Sequence, residues 1–392
     1  MSKFIQNHPP FLGREEKKFI QLCIKKNQIA TYGEYISKFE NKILNITKSS
    51  YGTSVINGTS AIHLALISLG VGFDDEVMVP SFTFIGTCNP VLHVKASPIF
   101  FDVDKYHNIN QEQVVDFLMK NTVQKGKYCI NKLTKKKIKA IIIVHMWGNA
   151  AELRNILSLC KKKNIKVIED AAESLGTTYN SGVYKNRHVG TIGDIGCISF
   201  NSNKIITSAG GGMVVSNSKK LIQIIKYLKN QGRGSNKKYE HNFIGYNYNL
   251  SNIHSAIGYA QIKKIKEKKQ FKKKLYISYC KLFKNNKNFK ILNTPNYSYN
   301  NHWMNILKII NKKIKIKTMI DFFKKNNIEL REVWKPCHLQ KNHRYFQKLK
   351  LKNTIEIYNK CICLPSGYNM NKNNFIKLKK IFTKYENMLN YK

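Results

Sequence analysis

Short apolar runs alternate with amphipathic stretches through the first two-thirds of the chain, and they predict strands and helices in turn. GTSVIN reads as a strand running into a loop, and TSAIHLALISLG as a helix ended by Gly70. EVMVP, closed by Pro80, and SPIFFDVD are two more short strands. KAIIIVHMWG carries the continuous β-branched run of a strand covered on both faces. AELRNILSLCKKKN is an amphipathic helix, followed at once by IKVIEDAAE, a strand that ends on acids. DIGCISF and GGMVVS read as strands, and SKKLIQIIKYLKNQ as a helix. Such alternation predicts an α/β fold, with a mostly parallel sheet covered by helices on both faces. Ligands in these sheets sit near the C-terminal strand ends.

From Ser251 the texture changes. SNIHSAIGYAQIKKIKEKKQFKKKLYISYCKLFKNN reads as one long helix opening a second unit of mixed strands and helices. The expected division is a large domain over residues 1–250, with an N-terminal arm, and a small C-terminal domain over 251–392. Residues 120–139 read as a surface excursion before the buried strand. No internal repeat is present.

A length of 392 residues excludes a peptide, a single small binding module or a disulfide miniprotein. Apolar residues at 42% suffice for a sizeable core. No apolar run is long enough to span a membrane, and MSKFIQNHPPFLG lacks the apolar core of a signal, so a cytoplasmic enzyme-sized protein is expected, with no membrane partner. The nine scattered cysteines offer no zinc ligand ladder, and free thiols are expected.

Net charge is the one feature that pulls elsewhere. A value of +44 attracts any polyanion. Yet only six of the 67 basic residues are arginines, the side chain whose planar fork reads phosphate and bases. Lysine rises together with asparagine and isoleucine, residues that share A/T-rich codons, and codon bias explains the excess. A basic nucleic-acid-binding protein is the rival reading of different class. It would need a clustered basic face rather than scattered lysine.

Three segments carry candidate chemistry. NGTSAIHLAL turns into a helix whose first amides and hydroxyls suit an anion, although capping by Thr59 or Ser60 reads equally from the residues. VIEDAAES ends a buried strand on Asp170, where a lone carboxylate needs a partner. A protonated ring nitrogen, a helix cap and a buried salt bridge all qualify. SFNSNKIITSAGGGMV places Lys204 between polar residues and a glycine run, where a lysine can lose its proton and attack a carbonyl.

These segments, with PSFTFIGT, FFDVD, GYNYNLSNIHSAIGYAQ, PCHLQ and CLPSG in order, resemble the DegT/DnrJ/EryC1/StrS family of pyridoxal-phosphate sugar aminotransferases. The resemblance runs from about Phe11 to beyond Pro365. It implies pyridoxal 5'-phosphate as cofactor and the PLP fold type I of aspartate aminotransferase. That is a large domain with a mostly parallel, mixed sheet flanked by helices, plus a smaller C-terminal α+β domain. It implies that Lys204 forms the Schiff base and shuttles the proton, that Asp170 binds the pyridine nitrogen, and that Phe84 stacks on the ring. Thr59, Ser60 and Ser199 would hold the phosphate. Glu173 falls where the family places a polar residue near the ring hydroxyl. Asn247 would reach the phosphate of the partner subunit's cofactor, in a homodimer with shared sites. Where the family often has arginine two places on, this chain has Asn249.

The implied reaction moves an amino group from glutamate to a keto sugar carried on a nucleotide diphosphate. NHPPFLGREEKKFIQLCI, TYGEYISKFE, WKPCHLQ and LPSG resemble the branch acting on UDP-linked 4-keto-6-deoxy sugars, which feeds surface glycans or nonulosonic acids. Trp334 and His338 would touch sugar or nucleotide, or else pack the small lobe. A sugar dehydratase of the same family is the alternative reaction. Its members often replace the Schiff-base lysine by histidine, so Lys204 argues for transamination.

Overall fold

The strands form where β-branched and apolar runs can be buried on both faces. The protein is described by a computed structural model covering residues 4–234 and 239–390. The main sheet holds nine strands: β1 (Tyr51–Val55), β2 (Asp75–Pro80), β3 (Ser97–Phe101), β4 (Thr122–Lys125), β5 (Tyr128–Asn131), β6 (Lys137–Val144), β7 (Lys166–Asp170), β9 (Ile195–Ser199) and β10 (Gly212–Ser216). Its order is β1-β10-β9-β7-β6-β2-β3, with the β4–β5 hairpin attached to β6. β9, β7, β6, β2 and β3 run parallel, and β10 is antiparallel to both neighbours. Ile141, Ile142 and Ile143 of β6 are fully buried, as the continuous apolar run requires.

The remaining strands are β8 (Thr178–Tyr179), β11 (Phe289–Ile291), β12 (Ser298–Tyr299), β13 (Asn305–Ile309), β14 (Arg331–Glu332) and β15 (Cys361–Leu364). β11, β13, β15 and β14 make an antiparallel four-stranded sheet over a separate apolar cluster that includes Phe289, Phe323 and Phe382. β8 and β12 pair with each other, joining the segment after Asp170 to the second half of the chain. Among the described residues no helix is long and apolar enough to cross a membrane.

Two expectations need correction. The stretch from Ser251 is two helices, Asn252–Lys263 and Ile265–Leu282, parted at Lys264, whose backbone leaves helical geometry (φ −101°, ψ 13°). The first packs against the helices Arg14–Lys25 and Glu34–Thr47, while the second joins the apolar cluster of the four-stranded sheet. Residues 120–139 are also more than an excursion: β4 and β5 form a hairpin, and Ile130 pairs with Lys137 at the start of β6.

Because β2, β6, β7 and β9 run parallel, their C-terminal ends open on one side of the sheet. Phe84, Trp147, Asp170 and Lys204 follow those ends at short distances along the chain.

Candidate active site

A pocket of about 820 Å³ occupies that side of the sheet. Asn57, Gly58 and Thr59 line it at the start of the helix Gly58–Ser68. The cap of this helix is Asn57, whose Oδ1 accepts from the Ser60 amide at 2.7 Å. That corrects the capping expected of Thr59 or Ser60. With Ser60 N–H engaged, the first-turn amides of Gly58 and Thr59 have no intrahelical acceptor and are placed to meet an anion. Thr59 and Ser199 line the pocket, whereas buried Ser60 is not among its lining residues. A Cβ on Gly58 would stand 2.9 Å from Ser199 Cβ, so only glycine lets helix and strand end approach this closely.

Asp170 enters from the end of β7. Its Oδ2 accepts from Thr87 Oγ1 at 2.8 Å and its Oδ1 from the Ala172 amide at 3.0 Å. Burial pushes this carboxyl above its ordinary range, and the Thr87 and Ala172 bonds pull the other way. A buried carboxylate lining the pocket is matched to a protonated ring nitrogen.

Lys204 sits in the turn after β9, its amide donating to Asn201 O at 3.0 Å. Its Nζ lies 3.5 Å from Glu173 Oε1 and 4.1 Å from the centre of the Trp303 ring. Glu173 is fixed from the other side by the Trp147 amide, 2.8 Å from Oε2. Burial raises the Glu173 carboxyl, while the Lys204 ammonium and that amide oppose the rise. Trp147 itself has a left-handed backbone (φ 55°), and a Cβ on the following Gly148 would strike Asn301 Oδ1 at 2.0 Å.

Aromatic rings form one wall. Trp334 lies parallel to Trp303, with 6.2 Å between centroids, and stacks on Trp147 at 5.8 Å. Phe84 lines the pocket, half exposed and edge-on to Trp334 at 6.2 Å. His338 is not among the lining residues. It is buried, with Nδ1 2.6 Å from Ser81 Oγ. Here it packs against Ser81 and does not line this pocket. Asn247 is exposed and also absent from the lining; its backbone bridges to Asn230. Asn249 donates to Asn230 Oδ1 at 2.9 Å.

A pyridine ring bearing phosphate and an aldehyde fits this donor set: a helix N-terminus, a buried carboxylate, an amine and an aromatic wall. A profile of the DegT/DnrJ/EryC1/StrS aminotransferase family matches residues 10–382. The chain belongs to the DegT/DnrJ/EryC1/StrS aminotransferase family. It is similar to EpsN of Bacillus subtilis (strain 168), named by inference as a pyridoxal phosphate-dependent aminotransferase, at 34% identity over 94% of this chain and 92% of that protein. It is 40% identical over 260 residues to the GDP-perosamine synthase of Escherichia coli O157:H7, covering 66% of each. Its fold matches Helicobacter pylori PseC, an aminotransferase involved in the biosynthesis of pseudoaminic acid, with a TM-score of 0.86 at 24% identity over 97% of this chain and 99% of that one. DegT/DnrJ/EryC1/StrS membership makes this protein a pyridoxal phosphate-dependent sugar aminotransferase with the type I fold.

Sequence reasoning missed Trp303, Thr87 and Asn203, all of which line the pocket. Thr87 stood inside PSFTFIGT, three residues past Phe84, where one helical turn brings it to the same face. Trp303 carried no local signal beyond being one of only three tryptophans.

Proposed function

We propose that this enzyme transfers the amino group of glutamate to a 4-keto-6-deoxy sugar carried on UDP, giving an amino sugar for surface glycan or nonulosonic acid synthesis. The observation that carries the transamination is the placement of Lys204 Nζ in one pocket with buried Asp170. Pyridoxal phosphate, when bound, supplies an electron sink for the carbon that loses its proton. Asp170 would hold the ring nitrogen protonated. Lys204 would link to the cofactor at rest and carry the proton between donor and cofactor carbons. Glu173, 3.5 Å from Lys204 Nζ, orients that amine. Gly58, Thr59 and Ser199 would bind the phosphate, and Phe84 would cover the ring face.

Trp334 offers the sugar a flat apolar surface beside Phe84. Exposed Asn247, outside its own chain's pocket, suits a reach into a partner's site, so the reading includes a homodimer with two shared sites and a large domain of residues 1–250 joined to a small one of 251–392.

UDP rests on the sequence stretches around the N-terminus and WKPCHLQ. The likeness to a GDP-perosamine synthase favours GDP as the second reading. Incubation of the enzyme with glutamate and either UDP- or GDP-linked 4-keto-6-deoxy sugar, followed by mass spectrometry, decides between them. An amino sugar from UDP alone supports the first; one from GDP alone replaces it. Borohydride reduction should fix the cofactor on Lys204, and a peptide map placing it on another lysine would refute the role of Lys204.

A further inference from the structure

Lys272 is a fully buried lysine whose hydrogen-bond partners among the described residues are a histidine ring and two backbone carbonyls. It projects from the helix Ile265–Leu282 into a space walled by three distant segments. Its Nζ lies 2.8 Å from His8 Nε2 and 3.1 Å from Trp303 O, and it is hydrogen-bonded to Ser366 O. The N-terminal segment arrives there along its own contacts. Ile5 bridges to Ile328, the Asn7 amide donates to Glu329 Oε2 at 2.7 Å, and Asn7 Nδ2 donates to Cys363 O at 2.9 Å. The His8 ring then stands 5.9 Å from the Trp303 ring.

Trp303 is gripped at every polar atom. Its amide donates to Asn301 Oδ1 at 2.9 Å, its indole N–H to Asn203 O at 2.6 Å, and its carbonyl accepts from Lys272. The face of the same indole lies 4.1 Å from Lys204 Nζ. Lys272 and Lys204 therefore hold one tryptophan by its backbone and its ring.

We propose that Lys272, docked by His8, is a positioning residue that sets the Trp303 indole against Lys204 and so fixes where the reactive amine points. The inference rests on the reading of Lys204 as the amine that carries the cofactor. The three contacts can be met by an ammonium or by a neutral amine, and burial favours the neutral one. In the neutral form two N–H groups serve the carbonyls of Trp303 and Ser366, and the lone pair is left to accept from the Nε2–H tautomer of His8. Burial and the neighbouring Lys268 ammonium both push Lys272 well below the ordinary lysine range. A neutral amine keeps a second buried cation away from Lys204.

The test uses Lys272→Met, which keeps length and volume but removes every N–H, together with His8→Ala and His8→Gln. The first readout needs no cofactor: cofactor-free protein is briefly exposed to an amine-acylating reagent, and labelling of Lys204 is measured by peptide mass spectrometry against exposed Lys18. Lys204 in Lys272→Met should label at least about threefold faster, because the indole no longer holds it. In loaded enzyme kcat should fall about tenfold to a hundredfold with KM for the sugar unchanged, the scale of a slightly misplaced reacting group. His8→Ala should follow Lys272→Met in both readouts, and His8→Gln, which restores an N–H donor, should return towards the parent. Unchanged Lys204 labelling in folded Lys272→Met overturns the proposal. So does equal behaviour of His8→Ala and His8→Gln, which also serves if Lys272→Met fails to fold. Failure of the underlying reading looks different: Lys204→Ala would then keep its activity.

Discussion

Thr87 and Asp170 share a hydrogen bond of 2.8 Å inside the pocket, and Thr87 Oγ1 is in turn 2.8 Å from Thr83 Oγ1. The helix Ile85–His93 thus reaches across to the end of β7 and stabilises the ionised form of a buried carboxyl.

Thr87→Val should shift the acid limb of the pH–rate profile to higher pH. Burial already raises Asp170, and removal of a bond that favours its charged form raises it further. A hydrogen bond to a charged group contributes about 1.5 kcal/mol, so the shift should be about one pH unit. Thr87→Ser keeps the donor and should restore the parent profile.

Asp170→Asn should retain the fold and bind cofactor, yet lose activity on the order of a hundredfold to a thousandfold, the scale of removing one preorganised charge from a reaction centre. The amide cannot keep a ring nitrogen protonated. Single-turnover rates with glutamate check this, and activity within a few-fold of the parent refutes the assignment.

Mixing two inactive chains tests the shared site. One carries Lys204→Ala, the other a bulky replacement of exposed Asn247, such as Asn247→Trp. If Asn247 serves the partner's pocket, a mixed dimer holds one site with both defects and one with neither. Roughly a quarter of parental activity per chain is then expected from random exchange of two chain types. No recovery, despite exchange shown by native mass spectrometry, would place Asn247 in its own chain's site.

Stability should fall as pH drops from about 6.5 towards 4. Burial lowers His63, His107, His188 and His302 to about 4, so they stay neutral in the fold while the unfolded chain takes up protons below its ordinary histidine value. Stability tied to these groups is complete above about 6.5 and is lost as pH falls through that window. Asp104 works oppositely: burial raises it to about 6, so its protonated form favours the fold over part of the same range. Burial raises Glu76, Asp170 and Glu173 as well, but it lowers His8, His254, His338 and His343 too, so the lowered imidazoles outnumber the raised carboxyls. Urea midpoints at pH 7 and pH 5 measure the sign, and a higher midpoint at pH 5 contradicts it.

The sheet was legible wherever burial demands a local pattern. AIIIV had to be a central strand, because five consecutive apolar residues have no other place to go. Asp170 and Lys204 were legible because their segments stand in the order of the family's other segments; alone, VIEDAAES suits a helix cap or salt bridge equally, and Lys204 is one lysine among many. What escaped depends on meetings across the chain. The role of Trp303 comes from Lys204, Lys272 and Asn301, and no spacing encodes those encounters. The helix break at Lys264 escaped because KKIKEKKQ favours helix on both sides; two different packing partners divide it. Asn57 escaped as the cap because Thr59 and Ser60, two and three residues on, are also good capping residues.

All three tryptophans of the chain, Trp147, Trp303 and Trp334, meet at one site. The protein's indole emission therefore has a single address. Excitation at the red edge of the absorption band interrogates this cleft and nothing else, without a label. A chromophore arriving beside Lys204 would quench it by energy transfer, and titrating that quench counts cofactor binding directly. Any ligand that separates the parallel rings of Trp303 and Trp334 would register in the emission as well. The enzyme carries its own optical gauge of occupancy, built from the side chains that shape the site.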